Sequence, residues 1–453
     1  MTKSVGSDRQ PFSVSRRTLL RTTLVGSAMA AVGGHDRVFA ATSTPYWFSR
    51  SAAAQSGTKI SAVVPSFQSV GDSFMEDQAK AFKAQTGIDV QIQFLPFEKA
   101  MDRQTTLVAA KSGEVDVFGT HYAQIGKFGE GMVPLNDRAA TDGIKAADYV
   151  SGSFDALTVK GKLLAIPFTF DLRTLFYRTD LFTKAGIAQP PTTWEEFIDA
   201  AQKTNNPPDV YGFMEVGKGD PVLREFSDRL WENGGDFLAD GLKPSAPAWN
   251  QPAGVEALTW MRDLIYKYKV APPGTPSYGW EENAQLFASG QAAMSKQWDP
   301  SAMEDPTQST IIGKYAVAPL PSHKTNKTTA ICHARGINLF SDKQDAAWTY
   351  VKYVSSAEQL LALFQKVGNR PAQMSALQQA KDAAQGVIKQ NLDVSLAEAK
   401  NGYTWPLFAQ FAEAQPILWG EIEKVLSQQK EPQEALDYAA DQATQIFKRD
   451  GLI

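Results

Sequence analysis

Apolar residues fall in two rhythms along this chain. Ile60 to Val64 reads as a short buried strand, after which Phe74, Met75, Ala79 and Phe82 recur at helical spacing up to Gly87. Ser73 and Glu76 have the spacing of a capping box and place the start of that helix at Ser73. Ile88, Val90, Ile92 and Phe94 then alternate as a half-buried strand does. A second helix is expected from about Glu98 to Gly113, and Val115, Val117 and Phe118 make a third strand. This order of strand, helix, strand, helix, strand predicts a parallel sheet with helices on its faces. In such sheets ligands bind beyond the carboxyl ends of the strands. The loops after Val64, Phe94 and Phe118 are therefore the first places to look, which brings in Gln68, His121 and Tyr122.

The densest apolar stretch runs from Gly161 to Phe197. Leu163, Leu164, Ile166, Phe168 and Phe170 are interrupted only by Pro167, and Leu172, Leu175, Phe176 and Tyr177 follow without a polar linker. That pattern predicts a strand that leaves one domain and enters another, with Pro167 confining it to an edge or a bend. Asp171 and Arg173 lie inside the apolar run. Pro190 and Pro191 stop it, and Thr193 with Glu196 forms a capping box for a new helix. From Trp194 to Leu320 a mostly helical lobe is expected. The segments 316–321 and 331–339 bracket a second crossing, and Gly368 to Pro371 marks a third.

The front of the chain changes the charge account. Ser15 to Leu20 is a twin-arginine pattern, followed by an uncharged apolar run to Gly34 and by Val38, Phe39 and Ala40, an A-x-A-like cleavage signal. Residues 1–40 read as an export signal and residues 41–57 as a flexible leader. The run is too short and too rich in small residues for a membrane anchor. Residues 1–40 hold six basic and two acidic side chains, so removing them takes the chain from −4 to −8. An acidic product with no basic stripe interleaved with aromatics is a poor candidate for nucleic-acid binding, and no nucleic-acid partner is expected. The single cysteine, Cys332, has no disulfide partner in the chain, and no cysteine near the cleavage region is placed to take a lipid. Four histidines without ligand spacing, and no HExxH or G-x-S-x-G, point to no metal, no cofactor and no catalytic centre of those kinds. The glycines at 126, 129 and 131 do not match a phosphate loop.

Several ordered blocks resemble the extracellular solute-binding proteins of bacterial ABC importers, in the family that binds sugars and polyols, of maltose-binding-protein type. They are GKLLAIPF and FYRTDLFTKAGIAQPPTTWEEF around the first crossing, LWENGGDF at 230–237, FASGQAAM at 287–294, and the closing PQEALDYAA. The resemblance implies an α/β fold of the two-lobe type II periplasmic binding protein, each lobe a mainly parallel sheet flanked by helices. It implies a first lobe of 58–170 and 322–372, a second of 171–321 and 373–453, and hinge strands between them. A soluble periplasmic monomer, cleaved near Ala40 after passage through the Tat machinery, would then deliver a sugar, polyol or related solute to permease subunits in the inner membrane.

A sugar offers an apolar face of C–H groups and a rim of hydroxyls, so its site needs an aromatic platform beside groups that satisfy the rim. Trp298 and Asp299, past the end of an expected strand, provide both; Trp280 and Trp405 are further stacking candidates. The resemblance adds Arg335 and Gly336, at a glycine turn facing the cleft, and Arg370. With Gln68, His121, Tyr122 and Asp171 these are the expected ligand contacts. An anionic solute would want Arg173, Arg335 and Arg370 to converge. The competing reading is a secreted glycosidase drawing its two carboxylates from Asp171, Glu281 and Asp299, but regular eightfold strand and helix repeats are missing.

Overall fold

The computed structural model describes residues 57–66 and 68–453; the twin-arginine segment and residues 41–56 of the leader lie outside the described residues. Strands β1 (Lys59–Pro65), β2 (Asp89–Leu95) and β3 (Val117–His121) form the expected parallel core, β1 pairing with β2 from Lys59↔Asp89 to Pro65↔Leu95 and with β3 at Ala62↔Val117. The first helix spans Gln68–Thr86, so Ser73 lies inside it and caps nothing. Polar residues at capping spacing had misplaced its start by five positions. It ends where Gly87 takes φ +74°, a conformation that costs glycine little. The second helix, Phe97–Ala109, stops four residues short of Gly113.

After the short hairpin of β4 (Thr158–Val159) and β5 (Lys162–Leu163), strand β6 (Ala165–Leu172) is buried along its whole length. It runs on the edge of the first sheet, and the register shift on its partner between His333 and Ala334 falls beside Pro167. A proline cannot donate to the ladder, and edge and bulge are the two positions that tolerate one. At Arg173 the chain leaves this sheet. It continues as β7 (Thr174–Arg178), the centre of a second sheet, with β8 (Met294–Gln297) and β9 (Tyr315–Ala318) on its two sides. The second crossing ends in β10 (Thr328–Ile337), which returns to the first sheet between β3 and β6, antiparallel to both, and β11 (Gly402–Tyr403) pairs with its start.

The α/β expectation with a crossing strand holds, but both pairings of β7 are antiparallel, not the mainly parallel arrangement expected of each sheet. β7 arrives from the neighbouring sheet. A long connection carrying several helices separates β7 from β8, and such a connection can return the chain in either direction.

Local cues hold where they are self-contained. Thr193 Oγ1 accepts from Glu196 N at 3.2 Å to start the helix Trp194–Thr204, while Glu196 Oε2 accepts from Thr192 N at 2.8 Å. Gly126 has a tertiary reason: a Cβ there would lie 1.6 Å from the carbonyl oxygen of Leu407. Among the described residues no helix is long and apolar enough to cross a membrane, and no group of three or more His, Cys, Asp or Glu side chains is arranged to hold a metal ion.

Candidate functional site

The expected contacts separate into two groups along one helix, Gly219–Glu232. The first group gathers where the chain crosses from β6 to β7. Trp298, directly after β8, and Trp280, the first residue of the helix Trp280–Ala288, meet edge to face, with centroids 5.8 Å apart at 67°; both are half-buried. Behind them the fully buried guanidinium of Arg173 lies 4.9 Å from the Trp280 ring and 5.4 Å from that of Trp298. A cation facing an aromatic ring is attracted by its quadrupole, the more so without water. Arg173 fixes the platform from below.

Arg173 is fixed in turn by Glu225 and by Asp228, the latter at 3.2 Å. Lys296 of β8 bonds the same two carboxylates. Asp228 Oδ1 also accepts from Thr329 N at 2.8 Å and Thr329 Oγ1 at 2.6 Å, tying this helix to β10. Burial alone would raise Glu225, but Arg173 and Lys296 outweigh it and hold its carboxyl down at about 2.

Beside the platform, Asp171 accepts from Arg370 Nη2 at 3.3 Å. Arg370 is buried and also donates to Asn391 at 2.8 Å, Ser395 at 2.6 Å and the carbonyl of Leu172 at 3.1 Å, so it clamps the crossing strand to the helix Gly386–Glu398. Burial lifts the Asp171 carboxyl to about 6 with help from the nearby Asp299 charge, against the pull of Arg370. Asp299 is half-buried and accepts from Ser301 N at 2.9 Å, capping a short turn. Glu281 is exposed.

The second group surrounds the end of β3. His121 Nδ1 accepts from Ala123 N at 3.2 Å, and the ring packs on Phe97 and His333. Burial, then His333 and Arg224, push its pKa well down, so the imidazole is neutral. Tyr122 is buried, accepts from Arg224 Nη1 at 3.3 Å, and has its phenol pushed up to about 12 by burial. Arg224 pairs with Asp220 at 2.8 Å and covers the Trp405 ring at 4.3 Å. Trp405 is wholly buried, its N–H on Ser227 Oγ at 2.7 Å, and Trp231 is likewise core. Gln68 opens the first helix; its side chain lies outside what is described.

Two positions differ from expectation. Arg335 and Gly336 occupy no turn: they sit within β10, paired with Gly119 and Phe118 on one side and with Ile166 and Ala165 on the other. Arg335 packs against Phe168, 4.1 Å from its ring, and Met75; burial lowers it to about 10, still protonated at neutral pH. A Cβ on Gly336 would lie 2.0 Å from Met132 Cε and 2.9 Å from the carbonyl oxygen of Leu164, so interior packing already accounts for this glycine. Gly336→Ala should therefore lower stability by about 1–3 kcal/mol, the usual cost of overpacking, and leave the solute affinity of the folded protein unchanged. Urea unfolding beside calorimetry checks this; lost affinity at full stability would count against it.

Sequence reasoning missed Arg224, Glu225, Asp228 and Lys296. Charges three and four apart on a helix are ordinarily a solvated face. Here they are buried because the helix Gly219–Glu232 lies against β10, with β8 and the crossing at Arg173 supplying counter-ions.

Comparison with known proteins agrees with this geometry. Residues 65–361 match the family described as bacterial extracellular solute-binding protein. A probable ABC transporter-binding protein of Deinococcus radiodurans is 29% identical over 307 residues, 64% of this chain and 71% of that protein. Among solved structures, maltose-bound T. maritima MalE3 superposes with a TM-score of 0.76 at 26% identity, covering 86% of this chain and 99% of that one. A solute-binding protein of Agrobacterium radiobacter K84 in complex with ribitol gives 0.77 at 26%, with the same coverage. Two α/β sheets joined by crossing strands, with a half-buried tryptophan pair at the crossing, thus coincide with a match over most of the chain, and the protein belongs to the bacterial extracellular solute-binding proteins.

Proposed function

We propose that this chain is the solute-binding component of an ABC importer that captures a neutral sugar or polyol between two lobes and presents it to permease subunits in the inner membrane. The observation that carries the reading is the Trp280–Trp298 pair, half-buried beside Asp171, Asp299 and Arg370 where the chain passes between the sheets. Stacking on the rings and hydrogen bonding to the polar groups suit a polyhydroxy solute. The maltose and ribitol carried by the two structural relatives are of this class. A neutral solute is favoured because Arg173 and Arg370 already face carboxylates and Arg335 packs inside the first sheet's layer.

On this reading no bond is broken. Asp171 is held by Arg370 and Asp299 by its own turn, which suits hydroxyl acceptance better than the acid and nucleophile of a glycosidase. Solute binding shifts the balance between open and closed lobes, and the permease reads the closed form. The lobes are 58–170 with 322–372, and 171–321 with 373–453. Export by the twin-arginine route, cleavage near Ala40, and a periplasmic monomer complete the proposal.

Thermal unfolding of residues 41–453 against a panel of sugars, polyols and sugar phosphates tests it. A solute at about a hundred times its Kd should stabilise by roughly 2.7 kcal/mol, a shift of a few degrees at this size. Stabilisation by sugar phosphates alone would overturn the neutral class; hydrolysis of a glycoside would overturn the binding reading.

A further inference from the structure

Directly behind the tryptophan platform lies a closed set of ionisable side chains. The helix Gly219–Glu232 contributes Glu225, Asp228, Arg229 and Glu232, β8 contributes Lys296, and the crossing contributes Arg173. Glu215 completes the set from the segment bridged to β8 through Met214 and Ser295, and it is 0% exposed. The chain on either side of Glu215 is held by uncharged groups: Asn283 Nδ2 donates to Met214 O, Phe213 N to Val270 O and Gly217 N to Tyr278 O.

Each carboxylate in this set has donors except one. Glu225 has Arg173 and Lys296, Asp228 has Arg173, Lys296 and Thr329, and Glu232 has Arg229 at 2.6 Å and the indole N–H of Trp194 at 2.7 Å. Neither oxygen of Glu215 receives a hydrogen bond. Arg173, Lys296 and Arg229 balance Glu225, Asp228 and Glu232, so an ionised Glu215 would be an uncompensated buried charge. As a neutral acid it has one O–H to give, and the Glu225 carboxylate beside it is an acceptor.

We propose that Glu215 is a positioning residue: a neutral carboxylic acid that donates to Glu225, keeps Arg173 seated behind Trp280 and Trp298, and makes solute capture weaken as its proton is lost. The proposal rests on the platform being the solute site. Burial, then the Glu225 charge, raises the Glu215 carboxyl well above its ordinary range, while Arg173 and Lys296 keep Glu225 ionised. A carboxyl raised in the folded state contributes stability that is whole below its unfolded pKa and declines as pH climbs toward the folded one.

The test compares the wild type with Glu215→Gln, which keeps a donor at this position without a titrating proton. Between pH 5 and 9 the folding equilibrium of the wild type relative to Glu215→Gln should fall by about tenfold per pH unit wherever only the unfolded acid is ionised. An infrared carboxylic-acid band present at neutral pH in the wild type and absent from Glu215→Gln reports the proton directly. Parallel unfolding profiles, or no such band, overturn the proposal. Maltose and ribitol affinities should decline with pH in the wild type and stay level in Glu215→Gln. Matching declines in both proteins overturn the positioning role. If neither solute binds, the fault lies with the solute reading; the near-ultraviolet tryptophan dichroism then decides, since only the wild type should change with pH.

Discussion

Arg173→Met should destabilise the protein by about 3–5 kcal/mol, the usual cost of removing one partner from a buried ion-pair network. The Arg173 side chain has no exposure and bonds Glu225, Asp228 and the carbonyl of Lys296. Without it Lys296 alone faces two carboxylates that cannot be solvated. Burial then dominates, and Glu225 no longer stays near 2, because Arg173 is the larger of the two charges holding it there. Methionine fills similar volume, so the loss reports charge more than cavity. Guanidinium unfolding of the wild type and the variant measures it, and a change below about 1 kcal/mol would show that the network is not what holds the crossing. Arg173→Lys should recover part of the loss, since an ammonium supplies charge but not a planar fork for two carboxylates and two rings.

The second large effect falls on binding. Trp298→Ala and Trp280→Ala should each weaken capture of whichever solute the thermal panel identifies by about 2 kcal/mol, or roughly thirtyfold. Both rings are half-buried and neither is among the fully buried side chains, so the fold should survive their loss. Titration calorimetry on the two variants gives the affinities. Unchanged affinity in both would remove the platform from the site and turn attention to Tyr122 and Arg224 at the end of β3. Trp405→Ala should differ in kind. Its indole is wholly buried under Arg224, so stability falls first and affinity only through it.

Trp298 and Trp405 differ in what surrounds them. Both stood out as stacking candidates. Trp298 follows a four-residue strand and keeps a partly open face, whereas Trp405 is closed over by Arg224 from 181 residues earlier in the chain. Pro167 is a success of another sort: a residue without an N–H has few places in a sheet, and it occupies the edge strand beside a register shift. The turn expected at Arg335 and Gly336 failed because a glycine signals only that a side chain will not fit. Here Met132 and Leu164 exclude it, and neither is near in sequence.

Periodicity, caps and apolar runs act over a few residues, and they determined the parallel core of β1, β2 and β3, the crossing at Arg173 and the placing of Trp298 past a strand end. The directions of β8 and β9 about β7, the burial of Glu215, Glu225, Asp228 and Lys296, and the pairing of Arg370 with Asp171 were decided by tertiary structure alone. Those features depend on which distant segment supplies a counter-ion or excludes water. The free energy of a buried charge is set by that neighbour and not by the residues beside it in the chain.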